Sequence, residues 1–204
     1  MRTAHRWRTV AAGLAVATAV LASACSDTQT SAANSAVVRA TGSVTCGSIT
    51  GGLAFSPPLT ATGTSPESAT ITLKATGCTT SGSNVSDVGS GSTKVTLTSP
   101  TSMCSGVLTL RSVALTIDWS TGATPSTVTF SGYSIASTPA GNGGFAFPNP
   151  GGTARVAGSF PGSDGGKGST ATITFDPSVA ELLTVCRSSG LASIPVTAGN
   201  VTLK

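Results

Sequence analysis

The chain has 204 residues, of which 39% are hydrophobic, 9% are charged and 25 are glycine, a composition typical of exported β-rich proteins rather than helical bundles. The formal charge of +4 is misleading, because three of the 11 basic residues lie among the first 24 positions. The remaining 180 residues carry eight basic and seven acidic side chains, which gives no basic patch for nucleic acid and fits a single domain.

Residues 1–24 have the three parts of an export signal: a cationic start with three arginines, an apolar run, and the small-residue cleavage site Ala22-Ser23-Ala24. The apolar run has 16 residues, fewer than the roughly 20 that a membrane-spanning helix needs. We therefore expect this segment to be a signal peptide that is removed, and the mature protein to work outside the cytoplasm.

Cys25 directly follows this cleavage site. A cysteine at the first mature position resembles a bacterial lipobox, in which the cysteine is acylated and anchors the protein to the membrane. The match is imperfect, since Ala22 stands where the motif prefers leucine. We expect Cys25 to be the lipidation site; the alternative is cleavage by ordinary signal peptidase and release of a secreted protein.

Residues 25–41 are small, polar and without periodicity, which predicts a lipidated N-terminus followed by a flexible tether. From residue 42 to 204, short runs of alternating apolar and polar residues predict antiparallel strands with one buried face. We predict strands near residues 43–49, 69–76, 93–98, 107–110, 113–119, 126–132, 153–160, 170–175 and 201–203. The expected fold class is all-β, an antiparallel β-sandwich or barrel with one short C-terminal helix.

The helix is predicted after Asp176-Pro177, which supplies a cap and a proline for the first turn. Ser178 and Glu181 have the spacing of a capping box, and Gly190 is a natural end. The apolar positions Val179, Leu182, Leu183 and Cys186 share one helical face. The helix would thus bury Cys186 against the sheet.

Four cysteines remain when Cys25 is set aside, an even number in an oxidising compartment, so two disulfides are expected. Three pairings of Cys46, Cys78, Cys104 and Cys186 are open. We favour Cys46 with Cys78, which encloses a moderate loop, and Cys104 with Cys186, which ties the middle strands to the C-terminal segment. No C-x-x-C spacing occurs, and we expect no metal site and no cofactor.

The single histidine, His5, leaves with the signal peptide, so the mature chain has no histidine for a catalytic triad or a zinc site. Asp118 lies beside an apolar strand stripe and is the candidate acid of a carboxylate-only hydrolase, but alternation points it to solvent. The glycine-rich stretch 161–168 lacks the residues a phosphate-binding loop needs at both ends and predicts a hairpin turn. We expect no enzyme and assign no catalytic residue; the hydrolase stays an alternative.

Phe145 and Phe147 lie in a glycine- and proline-rich segment that is the candidate binding loop. They either form an exposed apolar tip or fold back as a lid over an open end of the β domain. A buried cavity lined by both rings and by core aliphatics would favour ligand binding. The segment from Phe55 to Leu59 is expected to cover a sheet edge.

The stretch Cys46-Gly-Ser-Ile-Thr-Gly-Gly-Leu-Ala-Phe-Ser-Pro-Pro-Leu59, with a threonine-rich strand ending in Gly77-Cys78, resembles the start of uncharacterised exported proteins of actinobacteria. The resemblance implies a high-GC Gram-positive host and a place in the cell envelope, and it transfers no catalytic residues. We therefore expect a non-enzymatic lipoprotein, attached to the membrane through Cys25, that binds a protein partner or a small apolar molecule. A freely secreted binding or inhibitor protein is the alternative.

Overall fold

The computed structural model describes residues 37–86, 88–105, 112–137 and 142–204. The predicted signal peptide, Cys25, most of the predicted tether and the strand predicted at 107–110 lie outside these residues. The described chain is all-β with one helix, as predicted. Its strands are β1 (Ser43–Leu59), β2 (Glu67–Ser81), β3 (Ser90–Ser99), β4 (Val113–Trp119), β5 (Ser126–Phe130), β6 (Ser134–Ser137), β7 (Gly143–Phe147), β8 (Ala154–Gly158), β9 (Thr170–Phe175), β10 (Leu191–Val196) and β11 (Ala198–Leu203); helix α1 is Val179–Ser189.

The strands form one antiparallel sheet that curls into a half-barrel. Its order is β6-β7-β9-β11-β1-β2-β3-β4-β5-β8, with β10 pairing β1 beside β11. The long strands β1 and β2 are its centre and stay in register from Ser43 opposite Ser81 to Ser56 opposite Ser68. Because successive side chains of a strand point to opposite faces, this long register gives the sheet one continuous interior face.

The interior face carries the predicted apolar rows. On β2, Ile71, Leu73 and Ala75 are buried while Thr72 and Lys74 are exposed, which confirms the predicted alternation. On β4, Val113, Ile117 and Trp119 are buried and Thr116 and Asp118 are exposed. The largest fully buried side chains include Phe130, Phe160, Phe175, Leu59, Ile194 and Leu203. Each such side chain stabilises the fold by about 1.5–3 kcal/mol through removal from water.

The sheet forks between β3 and β4. These strands pair only at Gly91 opposite Trp119 and Ser92 opposite Asp118, after which β3 continues along β2 and β4 continues along β5. A Cβ on Gly91 would lie 2.8 Å from side-chain atoms of Ile117 and Trp119, so a glycine allows this close approach. The fork turns β4, β5 and β8 into a second wall of the interior.

Three strands were not predicted, and one extends further than predicted. β1 runs ten residues past Ile49, so the segment from Phe55 to Leu59 belongs to the strand and does not merely cover an edge. β7 and β10 were missed because glycine and proline interrupt their apolar pattern, and β6 was missed because it has only four residues. The rest of the predicted strands in the described chain are present, with ends shifted by a few residues.

The folded domain begins before residue 42. Val38 forms a parallel bridge with Ala123, and Ala40 is fully buried. The Ala40 N–H donates to Ser159 Oγ at 2.9 Å, and its carbonyl accepts from the Phe160 N–H at 2.8 Å. Residues 38–41, which were predicted to belong to the tether, are therefore part of the folded domain, because their hydrogen bonds are made within it.

Helix α1 has the predicted capping box, with Ser178 as the N-cap, so Asp176 and Pro177 lie before the helix rather than in its cap and first turn. The Glu181 N–H donates to Ser178 Oγ at 3.2 Å, and the Ser178 N–H donates to the Glu181 carboxylate at 2.7 Å. Hydrogen bonds to the carboxylate from the Ser178 backbone and, to a smaller extent, from the Ser178 side chain lower the pKa of Glu181 from its ordinary value. Gly190 follows the last turn, as predicted. No helical segment in the described residues combines the length and hydrophobicity of a membrane span.

Both disulfides have the predicted pairing. Cys46 and Cys78 face each other across β1 and β2, with Cα atoms 3.9 Å apart. Cys104 is joined to Cys186 on the buried face of α1, with Cα atoms 5.9 Å apart. The first disulfide links strands that already pair, whereas the second attaches the helix to the β domain.

Candidate functional site

An apolar cavity of about 70 Å³ lies inside the half-barrel, between the central strands and the second wall. Its lining includes Ile49, Leu53, Ile71, Leu73, Val113, Leu115, Ile117, Val128, Phe130, Phe145, Phe147, Ala171, Ile173 and Val201. With Gly91, Ser92 and Thr93 of β3, the lining comes from eight strands on both sides of the fork. The cavity therefore follows from the curl of the sheet rather than from one missing side chain. It is about half the size of a cavity of roughly 150 Å³ that takes up benzene.

A second cavity of about 60 Å³ adjoins the first, since both are lined by Leu53, Ile71 and Phe145. It extends along β2 and β3 toward Glu67 and Ser99, which are paired across these strands. Together the two spaces form a narrow apolar path along the interior face, one end of which is acidic.

Phe145 and Phe147 form part of the cavity wall rather than an exposed tip. Both lie in β7, Phe145 is only 4% exposed and Phe147 is half-buried. The Phe145 ring lies 4.9 Å from Tyr133 and 5.4 Å from Phe175, and the Phe147 ring lies 5.5 Å from Phe130. Both rings therefore line the apolar cavity together with core aliphatic side chains.

Glu67 is the acidic residue of this path. It is 6% exposed and lies on the interior face at the start of β2, in the same row as Ile71 and Leu73. Its carboxylate has no hydrogen bond or ion pair with any residue that the structure describes. Burial raises the pKa of Glu67 from its ordinary value, because the charged form loses hydration.

The sequence analysis did not single out Glu67. Extending the predicted alternation Ala69, Ile71, Leu73 by two residues toward the N-terminus places Glu67 on the same face. The signal was present, but a lone carboxylate at a strand end usually lies in solvent.

Thr93 is the second polar group of the path and also was not predicted. It faces Leu73 across β2 and β3, is 7% exposed and lines the first cavity. Its hydroxyl is buried without a hydrogen-bond partner among the described residues. A buried hydroxyl in this state destabilises the empty fold.

The other predicted residues lie elsewhere. Asp118 is exposed on the outer face of β4, as its alternation predicted. The stretch 161–168 forms turns, but not the predicted hairpin, because β8 pairs with β5 whereas β9 pairs with β11 and β7. The stretch lies beside an open polar depression that also includes Lys204. Within the described ranges, no group of three or more His, Cys, Asp or Glu residues is placed to hold a metal ion.

Comparisons with protein-family models, with curated proteins and with solved structures gave no match. The function is therefore inferred from the side chains that line the interior. An aliphatic group can be removed from water by the apolar walls, and a charged or hydrogen-bonding group can interact at Glu67 or Thr93.

Proposed function

We propose that this chain is a non-enzymatic lipoprotein of the bacterial cell envelope whose β domain binds a small apolar ligand inside the half-barrel. The observation that carries the proposal is the interior cavity walled by Phe145, Phe147 and core aliphatics. Its narrow form and small volume suit a slender aliphatic chain better than a ring system.

An empty cavity of this kind is costly. Protein interiors are close-packed, and an apolar void of about 70 Å³ lowers the free energy of unfolding by roughly 1.5–2 kcal/mol. An aliphatic ligand would restore the missing contacts without having to displace ordered water, since apolar cavities stay dry. The cavity and its adjoining space therefore favour an occupant over an accidental packing fault.

The envelope location rests on the N-terminal sequence. The export signal ends directly before Cys25, and the two disulfides use the other four of the five cysteines. Cys25 is thus left for acylation, and the residues up to Val38 would separate the folded domain from the lipid surface. The ligand would be met at the outer face of the membrane.

The test is thermal unfolding and calorimetric titration of the full chain, with both disulfides formed, against octanol as a slender probe and adamantanol as a bulky one. Octanol at about 100 times its dissociation constant should raise Tm by about 5–10 °C, because ligand binding adds about 2.7 kcal/mol to the free energy of unfolding. Adamantanol should give a much smaller shift. Equal shifts, or none with octanol, would overturn the proposal.

A matched pair of variants tests whether octanol binds inside the cavity. Ala171 lines the cavity on β9, and Ala171→Val fills part of it with a residue that strands favour. Ala114→Val makes the same change on the exposed face of β4. Octanol binding should weaken at least about tenfold in Ala171→Val, a loss of 1.4 kcal/mol, and stay unchanged in Ala114→Val. Unchanged binding in both would locate the probe outside the cavity.

A further inference from the structure

Among the residues that the structure describes, none supplies a counter-charge at the acidic end of the interior path. The second cavity is lined by residues of β1, β2, β3 and β7, and Glu67 is the only one of these lining residues that titrates. Its neighbours there are Leu53, Phe55, Leu59, Ala69, Ile71, Leu97, Thr98, Ser99 and Phe145. The charged form of a carboxylate in an apolar wall is stabilised by a cation, so the end of the path at Glu67 is suited to bind a positively charged group.

The position of Glu67 indicates how a ligand with a positive group would be oriented in the path. Ile71 lies four positions after Glu67, a distance of about 13 Å along the strand. Ile71 belongs to both cavities, so the apolar path begins beside the carboxylate and continues into the larger cavity. A ligand with its positive group at Glu67 would therefore place its apolar tail between Phe145 and the core of the half-barrel.

We propose that the ligand is a cationic amphiphile, an alkyl chain with a terminal ammonium group, and that Glu67 is the residue that binds the ammonium. This inference rests on the proposed function, because it names the chemical class of the molecule that the interior would hold. The carboxylate accepts hydrogen bonds from the ammonium, and the tail is removed from water by the apolar path.

The experiment compares octylamine, octanol and octanoate by calorimetric titration of the full chain at neutral pH. The three probes share one tail and differ only in the head group. Octylamine, which is cationic because primary amines of this kind titrate near the lysine value of about 10.4, should bind at least about tenfold more tightly than octanol. Octanoate should bind more weakly than octanol, because its carboxylate would be repelled by Glu67.

Two variants and a pH series test whether Glu67 is the residue that binds the ammonium group. Glu67→Gln keeps the shape and removes the charge, so it should abolish the preference for octylamine over octanol. Asp118→Asn removes an exposed carboxylate and should keep the preference. In the unsubstituted protein the preference should fall as the pH is lowered through the raised pKa of Glu67, because the carboxyl takes up a proton. The pH series tests the inference even if Glu67→Gln does not fold.

The outcomes of these experiments distinguish the proposed cationic ligand from the proposed apolar binding function. Octanol binding without a preference for octylamine, or a preference that survives both Glu67→Gln and acidic pH, would overturn the cationic ligand and leave the apolar binding function intact. Failure of all three probes to bind would overturn the binding function itself. A preference that is lost in Glu67→Gln and retained in Asp118→Asn supports both.

Discussion

At the scale of single residues, the hydroxyl of Thr93 is a polar atom that the empty interior leaves unsatisfied. Thr93→Val replaces it with a methyl group of similar shape and should raise the free energy of unfolding by about 1 kcal/mol, because a buried group without a partner costs about 1–3 kcal/mol. Thr72→Val, an outward substitution on β2, should change stability by less than about 0.5 kcal/mol. Urea unfolding of both variants measures the difference; destabilisation by Thr93→Val would mean that a bound molecule satisfies the hydroxyl.

Glu67 makes the stability of the protein depend on pH in a defined direction. Its pKa in the folded state is raised above the ordinary value of 4.5, so the folded state holds the proton more tightly than the unfolded state. The contribution of Glu67 is therefore fully present below pH 4.5 and is lost as the pH rises through the folded pKa.

Urea unfolding across that range should show Glu67→Gln gaining stability relative to the unsubstituted protein as the pH rises from about 4 to about 7. Asp118→Asn serves as the exposed comparison. A constant difference between Glu67→Gln and the unsubstituted protein would show that Glu67 titrates alike in both states.

At the scale of elements, the two disulfides stabilise different parts of the fold: one joins β1 to β2, and the other holds α1. Cys46–Cys78 closes a separation of 32 residues between strands that are already paired, and Cys104–Cys186 closes one of 82 and holds α1. Since the entropy of loop closure grows with loop length, replacing both cysteines of the second pair by alanine should cost about 1 kcal/mol more than replacing the first pair.

Hydrogen exchange measures how each disulfide affects the local stability of α1. Leu182 and Cys186 are the buried residues of α1, so loss of the second disulfide removes one of its two inward attachments. Amides of α1 should exchange faster in the Cys104→Ala/Cys186→Ala variant and at the original rate in Cys46→Ala/Cys78→Ala. Equal exchange of α1 in both variants would contradict this role.

The elements also show what the sequence could and could not predict. Alternation identified the rows of β2 and β4, and the capping box identified α1, because these signals are local. The fork after Ser92 could not be predicted, since it depends on which strand each neighbour pairs with. The cavity depends on the fork, so of its lining residues only Phe145 and Phe147 could be named from the sequence.

At the scale of the whole molecule, the proposal joins a lipid anchor to a domain that binds an apolar molecule. The proposed arrangement would keep the domain close to the membrane, where amphiphiles are concentrated. The proposed anchor and the cavity are independent, because the cavity is lined only by residues after 48 and the anchor would depend on Cys25.

The intact mass of the protein from its native host tests the anchor. We expect a chain that begins at Cys25, is heavier by a diacylglyceryl group, and gains two hydrogens for each of its two disulfides on reduction. Cys25→Ser should prevent lipid attachment and leave the disulfides unchanged, because neither of them uses Cys25. A chain without added lipid would make the protein a secreted one; the cavity would then bind its ligand away from the membrane, and the role of Cys25 as an anchor would be overturned.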